Sequence, residues 1–78
     1  MAAQRGIYAR RILARNVRSL REARKMNQEE LADAAYLTQS QVSKIETAKL
    51  NIRIDILQRL ASALGARLAD LLDDSKRK

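Results

Sequence analysis

The sequence predicts an all-α protein of five helices, and three features of the chain support this fold class. Proline is absent and glycine occurs only at Gly6 and Gly65, so few residues would interrupt a helix. Good helix formers such as Ala, Leu, Arg, Gln and Glu are abundant. Apolar residues recur three and four positions apart, as in amphipathic helices. At 78 residues the chain is long enough for one domain, spanning residues 1–78.

The first helix is predicted from Ile7 to Lys25. Its apolar stripe consists of Leu13, Val17 and Leu20, and arginines lie on the opposite face. Residues 1–6 precede this pattern, and we expect them to form an N-terminal arm without fixed structure.

The second and third helices are predicted from two pairs of capping residues. In each pair the first side chain accepts a hydrogen bond from the backbone N–H three residues on, and the second side chain accepts one from the backbone N–H of the first residue. Only Tyr36 and Leu37 separate the helices, so the chain must turn sharply, as in a helix-turn-helix. The pairs and the helices that they start are Asn27 with Glu30 for Gln28–Ala35, and Thr38 with Gln41 for Gln39–Thr47.

The last two helices are short and apolar on one side. The fourth is predicted from Arg53 to Leu64 and ends at Gly65, a residue type that commonly follows a helix. The fifth is predicted from Leu68 to Asp74, and residues 75–78 are expected to be an unordered tail. The side chains expected in the core are Leu57, Leu60, Ala61, Leu64, Leu68, Leu71 and Leu72.

The third helix has a polar face that carries a single charge. At 100° per residue, Val42 and Ile45 share one side, and the polar residues occupy the other. Gln can bond both N6 and N7 of adenine, Ser can bond either base type, and Lys can reach guanine O6 and N7. This face therefore predicts base reading in the major groove of DNA. Its residues are Gln39, Ser40, Ser43, Lys44 and Thr47.

The net charge of +7 is concentrated near the start of the chain. Half of the sixteen basic residues lie between Arg5 and Lys25, where Glu22 is the only acidic residue. Such a basic stripe suits a polyanion, either nucleic acid or an anionic membrane surface. We favour nucleic acid, because a membrane-surface helix would remove Leu13 and Val17 from the core. RNA binding by stacking is disfavoured, since only two residues are aromatic.

The chain from Arg15 to Leu72 resembles the helix-turn-helix domain of the lambda repressor, Cro and 434 repressor, the Xre family. The matching segments are residues 28–32 (QEELA), 37–46 (LTQSQVSKIE) and 60–65 (LASALG). The resemblance implies a five-helix lambda-repressor-like DNA-binding domain, with its helix-turn-helix formed by helices 2 and 3.

The resemblance also implies roles for individual residues. Gln39, Ser40 and Lys44 occupy base-contacting positions, to which the polar face adds Ser43. Arg21 and Glu46 match a buried ion pair that joins the first and third helices. Phosphate contacts are expected from Gln28, which can also brace Gln39, and from Thr38, Thr47, Lys49, Asn51 and Arg53.

Four positions depart from the family pattern. The family usually has glycine where Tyr36 and Ala48 stand, so we expect turns of a different shape around the third helix. Arg53 and Arg67 replace the usual Ser or Thr caps, losing a cap while adding charge near expected phosphates.

A single helix-turn-helix reads few base pairs, so family members generally bind as symmetric dimers on half-sites about 34 Å apart. We expect a homodimer, because apolar residues around the start of the fourth helix exceed the needs of one small core; ordinary core packing is the other explanation. The expected dimer residues are Leu50, Ile52, Ile54, Ile56 and Leu68.

The expected function is a cytoplasmic, DNA-binding transcription regulator. A stand-alone domain of this size resembles the controller proteins of restriction–modification systems; a phage Cro-like repressor and an antitoxin that binds a toxin remain alternatives. The expected partners are double-stranded operator DNA, a second copy of the chain and RNA polymerase. Without Cys, His or a Gly-rich phosphate loop, we expect no enzyme activity, metal, cofactor or small-molecule ligand, and no membrane span.

Overall fold

The computed structural model describes the backbone of residues 2–75 and the side chains of residues 8–75. Every regular element in this range is an α-helix, which confirms the all-α fold class. No helix among the described residues is long and apolar enough to cross a membrane. The five helices, α1 to α5, are Ala2–Ala23, Gln28–Ala35, Gln39–Glu46, Ile54–Ala63 and Leu68–Leu71.

Helix α1 is displaced toward the N-terminus relative to its predicted bounds. It begins at Ala2 rather than Ile7, so the backbone of residues 2–6 continues the helix. The strong helix formers Ala and Gln at positions 2–4 explain the extension. At the other end the helix stops at Ala23, and Lys25 adopts a left-handed conformation that a helix cannot continue. The expected tail lies outside the described residues from position 76 onward.

All five helices contribute to one apolar core. Helix α1 supplies Val17 and α5 supplies Leu71, and both side chains are fully buried. Leu72 was expected to be buried, but it is 46% exposed because α5 ends one residue before it. The largest fully buried side chains are Leu31, Ile45, Leu60, Leu64, Leu71, Val17 and Val42.

Each of the first four helices is followed by a residue in the left-handed conformation, with φ between 57° and 65°. Gly65 takes this conformation without steric penalty, whereas the Cβ of another residue costs about 1–2 kcal/mol. The turns at Tyr36 and Ala48 thus keep the backbone conformation that glycine favours, and the expectation of different turns is wrong. The four residues are Lys25, Tyr36, Ala48 and Gly65.

Asn16 ties the end of the chain to α1. Its side-chain amide is buried and donates hydrogen bonds to the carbonyls of Leu71 at 2.9 Å, Asp73 at 2.8 Å and Asp70 at 3.3 Å. These carbonyls lie at the C-terminal end of α5, where no further helical turn supplies donors. Sequence analysis missed this role, although a polar residue three positions after Leu13 on the apolar stripe was a signal for it.

Candidate nucleic-acid interface

Helices α2 and α3 each begin with the predicted capping pair. The Asn27 side chain accepts from the Glu30 N–H at 2.8 Å, and the Glu30 carboxylate accepts from the Asn27 N–H at 2.8 Å. Thr38 Oγ1 and the Gln41 N–H lie 3.0 Å apart, with the reciprocal bond at 2.9 Å. Both helix starts are therefore held by side chains next to them in the sequence.

A tight turn separates α2 from α3. Tyr36 is left-handed, with φ 58° and ψ 44°, and the Leu37 N–H donates to the Ala32 carbonyl at 2.8 Å. This bond closes the end of α2 and sends the chain in a new direction. Residues 28–47 thus form two helices joined by a turn rather than one rod.

The polar face of α3 is presented to solvent, as predicted. On the other side of the helix, Val42 and Ile45 are fully buried, so α3 is fixed from beneath by the core. Contact between this face and DNA bases stays a prediction. Its exposed residues are Gln39, Ser40, Lys44 and Thr47, and Ser43 is half-buried.

Glu46, at the end of α3, forms the predicted ion pair with Arg21. The guanidinium binds both carboxylate oxygens, with Nε–Oε2 at 2.6 Å and Nη2–Oε1 at 3.0 Å, and the Glu46 side chain is fully buried. The hydrogen bonds to Glu46 raise the pKa of Arg21, against the opposing effect of burial. A bidentate pair of this kind fixes both the distance and the orientation between α1 and α3.

Gln28 also binds Glu46. Its side-chain amide donates to Oε1 at 3.1 Å, so the start of α2 is held against the end of α3. The sequence indicates that Gln28 can brace Gln39, but in the structure its amide N–H binds the Glu46 carboxylate, which is buried and needs hydrogen-bond donors. A phosphate contact by Gln28 remains a prediction.

The remaining residues expected to bind phosphates are exposed. Asn51, in the connection between α3 and α4, accepts a hydrogen bond from Arg10 Nη1 at 3.1 Å. Arg53 makes no side-chain cap at the start of α4 and instead pairs with Asp55 at 3.1 Å, so the cap that the family usually has is absent. The other exposed members of the set are Thr38, Thr47 and Lys49.

The five residues expected at a dimer interface fall into two groups. Ile54 is 68% exposed, whereas the other four are half-buried and pack against the core. Core packing therefore explains the four half-buried residues in part. Ile54 is the member of the set that is most available to a partner. The half-buried members are Leu50, Ile52, Ile56 and Leu68.

Comparison with known proteins agrees with this geometry. A family model described as helix-turn-helix matches residues 17–71, which include α2–α5 and the C-terminal part of α1. The chain belongs to this helix-turn-helix family of DNA-binding domains, of the Xre or Cro-like type.

Several relatives have names that describe a particular class of regulator. Control protein C.SmaI of Serratia marcescens is 36% identical over 61 residues, covering 78% of this chain and 73% of that protein. The crystal structure of a hypothetical transcription factor from Neisseria superimposes with a TM-score of 0.84 at 34% identity, covering 87% and 78% of the two chains. The restriction–modification controller protein C.AhdI from Aeromonas hydrophila gives a TM-score of 0.77 at 29% identity, covering 80% and 94%.

Proposed function

We propose that this protein is a transcription regulator that binds a specific operator in double-stranded DNA as a homodimer. The observation that carries the proposal is that α3 is held on the core by one face and exposes the other. Its apolar side and Glu46 are buried, while Gln39, Ser40 and Lys44 project into solvent from a helix that begins after a sharp turn. Side chains of these types, on a rigid helix, match the hydrogen-bonding edges of bases in the major groove.

Within this class we propose a controller protein of a restriction–modification system. The names of C.SmaI and C.AhdI support this subtype, and the matches cover 73% of C.SmaI and 94% of the C.AhdI chain. Gene neighbours test the subtype directly. Adjacent nuclease and methyltransferase genes are expected, whereas a toxin gene or phage genes would contradict it.

We propose a homodimer because one α3 is too short to read a whole operator. One α3 spans few base pairs, and two copies related by a twofold axis would read two half-sites about 34 Å apart. Ile54, exposed in a segment that also holds the half-buried Ile52 and Ile56, is the apolar side chain that a second copy would cover. The proposed place of action is the cytoplasm, and RNA polymerase is the proposed further partner at the promoter.

The decisive experiment is a footprint on the DNA upstream of the protein's own gene. Gln39→Ala is expected to weaken specific binding with little change on unrelated DNA, because a bidentate base contact is worth about 1–3 kcal/mol of discrimination. Lys49→Ala is expected to weaken binding to both DNAs and to flatten the salt dependence, because a phosphate contact is independent of sequence.

Gln58→Ala is the matched control for Gln39→Ala. Gln58 is an exposed glutamine on α4, where its side chain bonds only Ser62 among the described residues. Equal losses from Gln39→Ala and Lys49→Ala on every DNA tested would reject the assigned roles. A wild-type protein that protects no sequence would reject the proposed function itself.

A further inference from the structure

Three arginines of α1 line a cleft beside the C-terminal end of α3. One wall carries Arg11, Arg15 and Arg18, and the other carries Thr47 and Ala48. The cleft is open to solvent and lies outside the residues expected to contact DNA, apart from Thr47. The site described above does not account for its three arginines.

The cleft carries positive charge that the protein itself does not neutralise. Two acids, Glu22 and Glu46, also line it. Glu46 is already bound by Arg21 at 2.6 Å, whereas Arg18 lies 3.8 Å away with 54% of its side chain exposed. Arg11 is exposed and forms no ion pair with any residue of the range 8–75.

The cleft adjoins the exposed face of α3 that we propose to contact DNA. That face runs from Gln39 to Thr47, so a duplex read by the N-terminal end of α3 lies within about one helix length, roughly 12 Å, of its C-terminal end. Thr47 lies at that end on the exposed face, and the arginines of α1 stand directly across the cleft from it.

The N-terminal half of α1 is held in place by bonds to two other segments. The Tyr8 hydroxyl donates to the Asp74 carboxylate at 2.6 Å, and Arg15 donates to the Asp73 carbonyl at 3.4 Å. Arg10 binds Asn51 in the connection that follows α3. Arg11 and Arg18 therefore project from an anchored helix, which lowers the entropy lost when they bind a ligand.

We propose that Arg11 and Arg18 bind DNA backbone phosphates, extending the interface from the helix-turn-helix onto α1. Arg15 is left out of the proposal, because its guanidinium already donates to the Asn16 side chain and to the Asp73 carbonyl. This inference rests on the proposed function. The inference adds a phosphate-binding surface on α1 to the base-reading surface of α3, and base reading could occur without it.

The test compares Arg11→Gln with Arg24→Gln in the full chain. Both side chains are exposed arginines, but Arg24 lies against Gly65 and does not line the cleft. Loss of one phosphate contact is expected to reduce the slope of log affinity against log salt by about 0.9, equally on operator and unrelated duplexes. Arg24→Gln is expected to leave the slope close to that of the wild type.

Ethylation interference then locates the contact. Ethylation of the phosphate that an arginine contacts blocks binding of the wild type. This interference is expected to disappear at one phosphate in Arg11→Gln and at one in Arg18→Gln, whereas Gln39→Ala is expected to keep both. Melting temperatures are measured for all variants, since Arg18 lies near the buried Glu46; Arg11→Gln alone still decides the outcome.

Two results would overturn the inference without affecting the proposed function. The first is a wild-type protein that selects its operator while Arg11→Gln and Arg24→Gln have the same salt slope. The second is loss of operator binding in Arg11→Gln with unrelated DNA bound normally, which would indicate base reading instead. A wild-type protein that binds every duplex equally would instead count against the proposed function.

Discussion

At the scale of single residues, one carboxylate connects three helices. Glu46 belongs to α3, Arg21 reaches it from α1, and Gln28 reaches it from the start of α2. The carboxylate has no exposed side-chain surface, so these donors replace the water that it loses on folding. The orientation of the polar face of α3 therefore depends on a buried polar contact as well as on apolar packing.

Glu46→Ala is expected to lower the free energy of unfolding by about 3–5 kcal/mol, because the largely buried Arg21 would lose its counter-charge. Circular dichroism during thermal denaturation measures the change. The pKa of Arg21 is raised in the folded protein, so its protonation stabilises the fold below the ordinary arginine pKa. That contribution disappears only as pH rises through the raised value, and it should be constant near neutral pH.

The double variant Arg21→Ala with Glu46→Ala is the control for this pair. It should lose less stability than the sum of the two single variants, since removing both partners leaves no unpaired charge. An unchanged melting temperature in Glu46→Ala would show that the pair does not stabilise the fold.

At the scale of elements, the helix ends carry local strain. Ala48 follows α3 with φ 62°, a conformation that is costly for a residue with a Cβ. Ala48→Gly is expected to raise the free energy of unfolding by about 0.5–1 kcal/mol, after allowance for the greater flexibility of glycine in the unfolded chain. Chemical denaturation of the two proteins measures the difference.

Ala34→Gly makes the same chemical change inside a helix. Ala34 is exposed on α2, where glycine should lower the free energy of unfolding by about 0.8–1.0 kcal/mol. Opposite signs for the two substitutions are therefore expected. A loss of stability in Ala48→Gly would contradict the assignment of strain to this turn.

At the scale of the whole molecule, a chain of 78 residues has a limited core, and association with a second copy would add to it. Ile54→Lys is expected to shift the protein toward monomer, because it places a charge at the centre of the proposed dimer surface. Sedimentation at concentrations on the order of tens of micromolar measures the change.

Tyr36→Lys is the matched control for the dimer test. Tyr36 is 83% exposed, but it lies in the turn between α2 and α3, outside the proposed dimer surface. It should sediment like the wild type. A wild-type protein that is already monomeric at these concentrations would refute the dimer.

Local patterns predicted α2 and α3 closely because their determinants are neighbours in the chain. Asn27 with Glu30 and Thr38 with Gln41 set the helix starts, and helical spacing identified Val42 as buried. The Arg21–Glu46 ion pair could be predicted only from the family resemblance, because nothing in the local pattern links residues 25 positions apart.

The sequence by itself determined the helical class, the two capped helices and the polar side chains of α3, all of which depend on contacts within a few residues. Only the tertiary structure decided that Gln28 binds Glu46, that Asn16 caps the end of α5, and that Leu72 is exposed. These outcomes depend on packing between distant segments, where leaving a buried polar group without a donor or acceptor costs free energy. A side chain's partner there is set by the folded arrangement, which no short stretch of residues specifies.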